Sequence, residues 1–204
     1  YPAMTKYDSF YLILAISFLT SCDPDVAGEG IDLPAMKFAF KVSPDTAYLH
    51  EGDTLILKSS MSSMLTNGLK VKDGSAILKV ALWRYNNIPA TTTDSSGYAI
   101  AGEDFLLISD EGDVKYQANG PGCISEFTCM PVNDSLKMKY RFVFIKKGLY
   151  QFNMYSSFYE GSLGKTRTSG YFDAANPHWD FIQIPGQPQP DPNYKQGYVI
   201  GVVN

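Results

Sequence analysis

Two histidines, three cysteines and two clusters of carboxylates are the groups in this 204-residue chain that could carry catalysis or hold a metal. His50 and His178 are far apart, and neither has a second histidine four positions away, as a helical zinc site would need. His50 precedes the Glu51-Gly52-Asp53 turn and reads as solvated. His178 sits in Asn176-Pro177-His178-Trp179-Asp180, where an acid–base role would need Asp173 or Asp180 within hydrogen-bond reach. Cys123 and Cys129 are too widely spaced for a redox pair with two intervening residues, and no histidine flanks them to complete a zinc site. Gly161-Ser-Leu-Gly164-Lys165-Thr166 ends like a phosphate-binding loop. Tyr159 stands where that motif needs its first glycine, so the stretch reads as a basic hairpin loop. Ser162 lacks the glycine framing of a nucleophile elbow. Glu103-Asp104 and Asp110-Glu111-Gly112-Asp113 offer oxygens but not a full calcium-loop pattern, so hairpin turns are expected there. No catalytic residue, no metal ligand and no cofactor is therefore assigned.

Aromatic side chains are the remaining candidates for contact chemistry. Exposed rings stack on sugars or anchor a protein partner, because a flat apolar body combines with a polar tip. Trp83 and Tyr85 fall on one strand face, and Trp179 lies in a late loop; these three are the expected ligand- or partner-binding residues. The formal net charge of −4 argues against a nucleic-acid partner.

The elements that must position these rings are strands. Met36–Ser43 alternates Phe38, Phe40 and Val42 with Lys37, Ala39 and Lys41. Ala76–Tyr85 sets Leu78, Val80 and Leu82 against Lys79, Ala81 and Trp83. Leu136–Ile145 sets Met138, Tyr140, Phe142 and Phe144 against Lys137, Lys139 and Arg141. Leu149–Tyr155 places Tyr150, Phe152 and Met154 on one side. A period of two means half-buried β-strands. Thr54–Ser59, Phe105–Ile108, Val114–Gln117, Phe181–Ile184 and Tyr198–Val203 are shorter candidates. Lys147-Gly148 predicts a hairpin joining the two strongest runs. Asp73-Gly74 predicts another, and Ser60–Leu65 a single helical turn. Gly186–Pro192 reads as a polyproline-like connector. Many short strands with regular turns predict an all-β antiparallel sandwich.

At the other end, Phe10–Ser21 is uncharged, follows Lys6 and ends in Leu19-Thr20-Ser21-Cys22. The run is too short for a membrane span of roughly 20 residues. It resembles a bacterial lipoprotein signal with a lipobox. The resemblance implies cleavage before Cys22, lipidation of that residue, and Met4 as the true start. It divides the chain into signal peptide 1–21, lipidated cysteine and flexible tether 22–35, and a single domain 36–204. The tether, acidic and rich in Gly and Pro, is similar to the surface-export signal of Bacteroidetes lipoproteins. An outer-membrane location is expected, periplasmic or surface-exposed, although Asp23 directly after the cysteine also resembles the inner-membrane retention signal of enteric-type bacteria. With Cys22 lipidated in an envelope compartment, Cys123 and Cys129 remain as a pair. A disulfide in an exposed, turn-rich loop is expected, with two free thiols as the alternative.

Within the domain, Glu51-Gly-Asp-Thr-Leu-Ile-Leu57 resembles the entry to strand B of an immunoglobulin-like domain. Gly148-Leu-Tyr150-Gln-Phe152 resembles strand F, where a tyrosine ties the corner. Ser59 and Phe152 stand near the places of the inter-sheet cysteines. The function expected is that of a membrane-tethered, non-catalytic accessory or binding subunit, an immunoglobulin-like β-sandwich held by its lipid anchor. Its partner would be an outer-membrane protein complex or a glycan. The alternatives are an envelope hydrolase acting on glycan or peptide, and a polymerising adhesive surface subunit.

Overall fold

The computed structural model describes residues 33–90, 96–117, 124–182 and 195–204, all within the compact unit Asp32–Asn204. The described residues are all-β apart from a single 3-10 turn at Trp179–Phe181. Fourteen strands follow one another: β1 Met36–Ser43, β2 Tyr48–His50, β3 Thr54–Ser62, β4 Ser75–Tyr85, β5 Ser96–Tyr98, β6 Phe105–Glu111 and β7 Asp113–Gln117. Then come β8 Ile124–Cys129, β9 Pro131–Val132, β10 Ser135–Phe144, β11 Gly148–Tyr155, β12 Ser157–Gly161, β13 Gly164–Asp173 and β14 Gly197–Val203.

Hydrogen bonding links them in the order β2-β14-β11-β4-β12-β13-β1-β3-β10-β6, with β5 and β8 on the far side of β4 and β7 beyond β8. The sheet is mixed rather than purely antiparallel: β1 runs parallel to β13, and β2 parallel to β14. That corrects the antiparallel expectation.

Rings from strands far apart in this order touch. Phe142 of β10 meets Phe152 of β11 edge-on at 5.0 Å, Phe144 meets Tyr150 at 4.6 Å, and Phe127 of β8 stacks on Tyr140 at 3.9 Å. The sheet therefore curls until the half containing β1, β3, β10 and β6 faces the half containing β14, β11, β4 and β8. The alternation read from the sequence supplies both inner faces: Phe38, Phe40, Leu55, Leu57, Leu78, Phe142, Phe144 and Phe152 are all fully buried. Each such side chain contributes about 1.5–3 kcal/mol by leaving water. Four buried tyrosines fit because their hydroxyls reach backbone carbonyls at the rim; Tyr140 donates to Asp113 and Tyr159 to Asp73.

The expected hairpin at Lys147-Gly148 is an arch instead. β10 pairs with β3, β6 and β9, whereas β11 pairs with β4 and β14. Gly148 takes φ of +145°, and a Cβ there would lie 2.5 Å from the Tyr85 carbonyl, so the crossing needs glycine. Asp73-Gly74 joins no hairpin either. Lys70 pairs back with Met64 in an isolated bridge, and the Asp73 carboxylate accepts from the Ser162 amide at 2.8 Å. The helical turn expected over Ser60–Leu65 is absent: β3 runs on to Ser62.

Candidate functional site

The residues between the inward ones on β4 and β11 build an outer face. Register places Trp83 of β4 opposite both Gln151 of β11 and Tyr98 of β5, so the three side chains stand in one row. Trp83 and Tyr98 are half-buried, and their ring centroids lie 4.0 Å apart at 31°. In the next row, Tyr85 donates its hydroxyl to Gln151 Oε1 at 2.9 Å, and Gln151 Nε2 donates to Asn153 Oδ1 at 3.2 Å. Burial raises the Tyr85 phenol above its ordinary value, so it stays protonated as a donor. Asn153 is buried, while Tyr155, opposite Lys79, is 45% exposed. The result is a tilted, closely packed aromatic pair bordered by a hydrogen-bonded line of phenol and two carboxamides. Such a surface can stack on a ring and exchange hydrogen bonds with its hydroxyls.

Trp179 does not belong to this surface. It is only 8% exposed and packs with Ala90, Leu149, Ile182 and Val199 in a second, smaller cluster. Leu149 and Val199 point outward from β11 and β14, so the 3-10 turn lies over one end of the outer face and buries its indole there. This corrects the expectation of an exposed contact tryptophan. The strand expected over Phe181–Ile184 is replaced by that turn and a single bridge from Ile182 to Ala90; Gln183 and Ile184 lie outside the described residues.

The histidines are apart from each other and from the aromatic row. His50 is exposed, with Nδ1 3.4 Å from Asp53 Oδ2. His178 adopts φ of 55°, its ring 5.8 Å from that of Phe181, and no described carboxylate lies within salt-bridge reach of it. Among the described residues, no three His, Cys, Asp or Glu side chains could share a metal ion.

Asp104 and Asp110, one from each acidic cluster, are paired with cations of the protein itself. Asp110 accepts from Arg141 Nη2 at 2.8 Å and lies 2.9 Å from Lys139 Nζ. Those hydrogen bonds hold its carboxyl below the ordinary value. Asp104, 6% exposed, accepts from the Ile100 amide at 2.7 Å and lies 3.2 Å from Lys146 Nζ. Gly161–Gly164 closes the hairpin between β12 and β13, with Lys165 held over the Phe158 ring at 4.2 Å. It serves as a turn.

A cleft of about 400 Å³ opens between Glu111, Asp113, Thr128, Cys129 and Lys137. Cys129 forms its floor with a free thiol at the buried end of β8, not in an exposed loop. The expected disulfide is thus not formed at Cys129, and Cys123 lies outside the described residues. Burial pushes the Cys129 thiol up to about 12, so it stays protonated at neutral pH.

Sequence reasoning missed Tyr98, Gln151 and Asn153. Ser96-Gly97 reads as a turn, yet it is the start of β5, and only the register of β5 on β4 brings Tyr98 to Trp83. The polar side of Leu149–Tyr155 was the signal for the two amides. Cys22 lies outside the described residues. No protein-family model matches the chain, and no curated protein matches it.

Proposed function

We propose that this chain is a lipid-anchored, non-catalytic binding subunit of the bacterial outer membrane, and that the Trp83–Tyr98 face of an immunoglobulin-like β-sandwich binds a glycan. The observation that carries the reading is the row of Trp83 and Tyr98 rings beside the Tyr85–Gln151–Asn153 line. Indole, phenol and carboxamide are neither nucleophiles nor general bases at neutral pH, but they match the apolar faces and hydroxyl edges of sugar rings. An outer-membrane protein complex is the second class of partner such a surface fits.

Strand order supports the immunoglobulin-like part. The run β1-β3-β10-β6 corresponds to strands A, B, E and D, and β14-β11-β4 to G, F and C. Tyr150 donates its hydroxyl to the Lys146 carbonyl four residues upstream, at 2.7 Å, as a tyrosine corner does. The anchor rests on the sequence ending Leu19-Thr20-Ser21-Cys22. A lipid tether raises the concentration of a binding face at the membrane, so a modest interface suffices there.

The experiment is intact mass and detergent partition of the chain and its Cys22→Ser variant, expressed in a lipidating host. The reading expects an acylated, detergent-phase protein and an unacylated variant. Equal mass and equal partition would remove the anchor. Turnover of a glycan or peptide library by the purified chain would favour the hydrolase, and concentration-dependent polymers the adhesive subunit.

A further inference from the structure

The outer face of the other half of the sheet is basic. Lys37 and Lys41 on β1, Lys58 on β3, and Lys137, Lys139 and Arg141 on β10 alternate with buried residues, so all six project to one side. Register sets Lys41 directly opposite Lys58, and Lys58 directly opposite Lys139. Like charges placed opposite one another across a sheet are destabilising. Strand spacing of about 4.8 Å puts this lysine row across roughly 10 Å. Asp110 answers Lys139 and Arg141. No ion pair with a described carboxylate forms at Lys37, Lys41, Lys58 or Lys137, and Asp173, across from Lys41 in register, makes none with it. This concentration of positive charge occurs in a chain whose net charge is −4.

We infer that this face docks on an anionic lipid bilayer, its lysines meeting the headgroup phosphates. The charge is spread over a flat three-stranded surface on exposed, flexible ammonium stems rather than gathered in a pocket. Such an array suits a laterally mobile layer of phosphates better than one bound ligand. Because the two halves of the sheet pack face to face, docking here turns the Trp83–Tyr98 face away from the bilayer and toward solvent.

The test is co-sedimentation of the full chain carrying Cys22→Ser, and therefore without lipid, with vesicles of phosphatidylcholine alone or mixed with phosphatidylglycerol. Binding to the anionic vesicles alone, lost as salt rises, is expected. Each lysine near an anionic surface is worth about fivefold in partition. Lys41→Gln/Lys58→Gln/Lys137→Gln should therefore bind about a hundredfold more weakly, with its melting temperature unchanged or raised as the opposed lysines are relieved. Equal binding to neutral vesicles, no binding, or a triple variant that binds like the parent would overturn the inference. So would capture by a soluble polyanion such as dextran sulfate without vesicle binding. None of these outcomes bears on Cys22, because the protein tested carries no lipid.

Discussion

Replacing Tyr150 with phenylalanine removes one oxygen from the interior and leaves the ring in place. The hydroxyl donates to the Lys146 carbonyl at 2.7 Å and lies 3.1 Å from the Asp104 carbonyl. The Asp104 carbonyl keeps two other donors, the amides of Ile145 at 2.8 Å and Lys146 at 3.2 Å. The Lys146 carbonyl loses its partner, while the Arg84 guanidinium, which also bonds the hydroxyl, keeps the Lys147 carbonyl. The net bond is worth about 1 kcal/mol, and the Lys146 carbonyl, on an exposed residue, turns to water when it is left, so no burial cost is added. Ring packing against Phe144 at 4.6 Å is retained, so no cavity cost is added. The expected loss is about 1 kcal/mol, or roughly 2–4 °C in melting temperature for a domain of this size. Urea unfolding of the Cys22→Ser chain measures it, provided the m-value is unchanged. Tyr150→Ala removes the ring as well and should cost about 3–5 kcal/mol. A loss below about 0.5 kcal/mol for Tyr150→Phe would mean that the arch from β10 to β11 does not depend on this hydroxyl. A loss equal to that of Tyr150→Ala would mean that the oxygen, not the ring, holds the arch.

Two further outcomes follow from the core. Phe142 touches Phe105, Phe127 and Phe152, so Phe142→Ala should cost about 3–5 kcal/mol in the same assay; a loss under about 1 kcal/mol would put that face on the outside. Cys129, raised from 9.0 to about 12, contributes stability that is present below pH 9 and is lost as pH rises toward 12. Its alkylation at neutral pH should be slow in the folded protein and fast in urea; rapid labelling without denaturant would show an exposed thiol.

The legible part of the fold was the part with a period of two. β1 has the predicted bounds, and β4, β10 and β11 differ by about a residue, because Phe, Leu and Val alternate there with Lys, Arg and Gln. β13 was invisible because two of its three inward residues, Thr168 and Gly170, are not apolar, and Phe172 alone near its end sets no alternation. Gly170 faces the core where a Cβ would come within 2.6 Å of Met154 Sδ, and Thr168 points in to donate its hydroxyl to Ile77. β8 reads as loop by sequence, since its inward side begins with Ser125 and ends at Cys129. The Lys147-Gly148 signal specified that the chain reverses, but not which strands then pair; long-range register decides that. The same limit explains the candidate site. Alternation placed Trp83 and Tyr85 on the outer face of β4, whereas Tyr98 joins them only through the β4–β5 register. Trp179 lies in a loop-like stretch by sequence, and its burial follows from Leu149 and Val199 facing outward beneath it.

The central claim is tested most directly by glycan binding. The full chain carrying Cys22→Ser is applied to an array of bacterial and host glycans, and each hit is measured by calorimetry alongside Trp83→Ala and Gln151→Ala. Loss of the stacking indole should weaken binding by at least tenfold, and loss of the amide by a few-fold, while both variants keep the parent's urea midpoint within about 1 kcal/mol of stability. No glycan bound, or a hit that Trp83→Ala binds as tightly as the parent, would contradict the account.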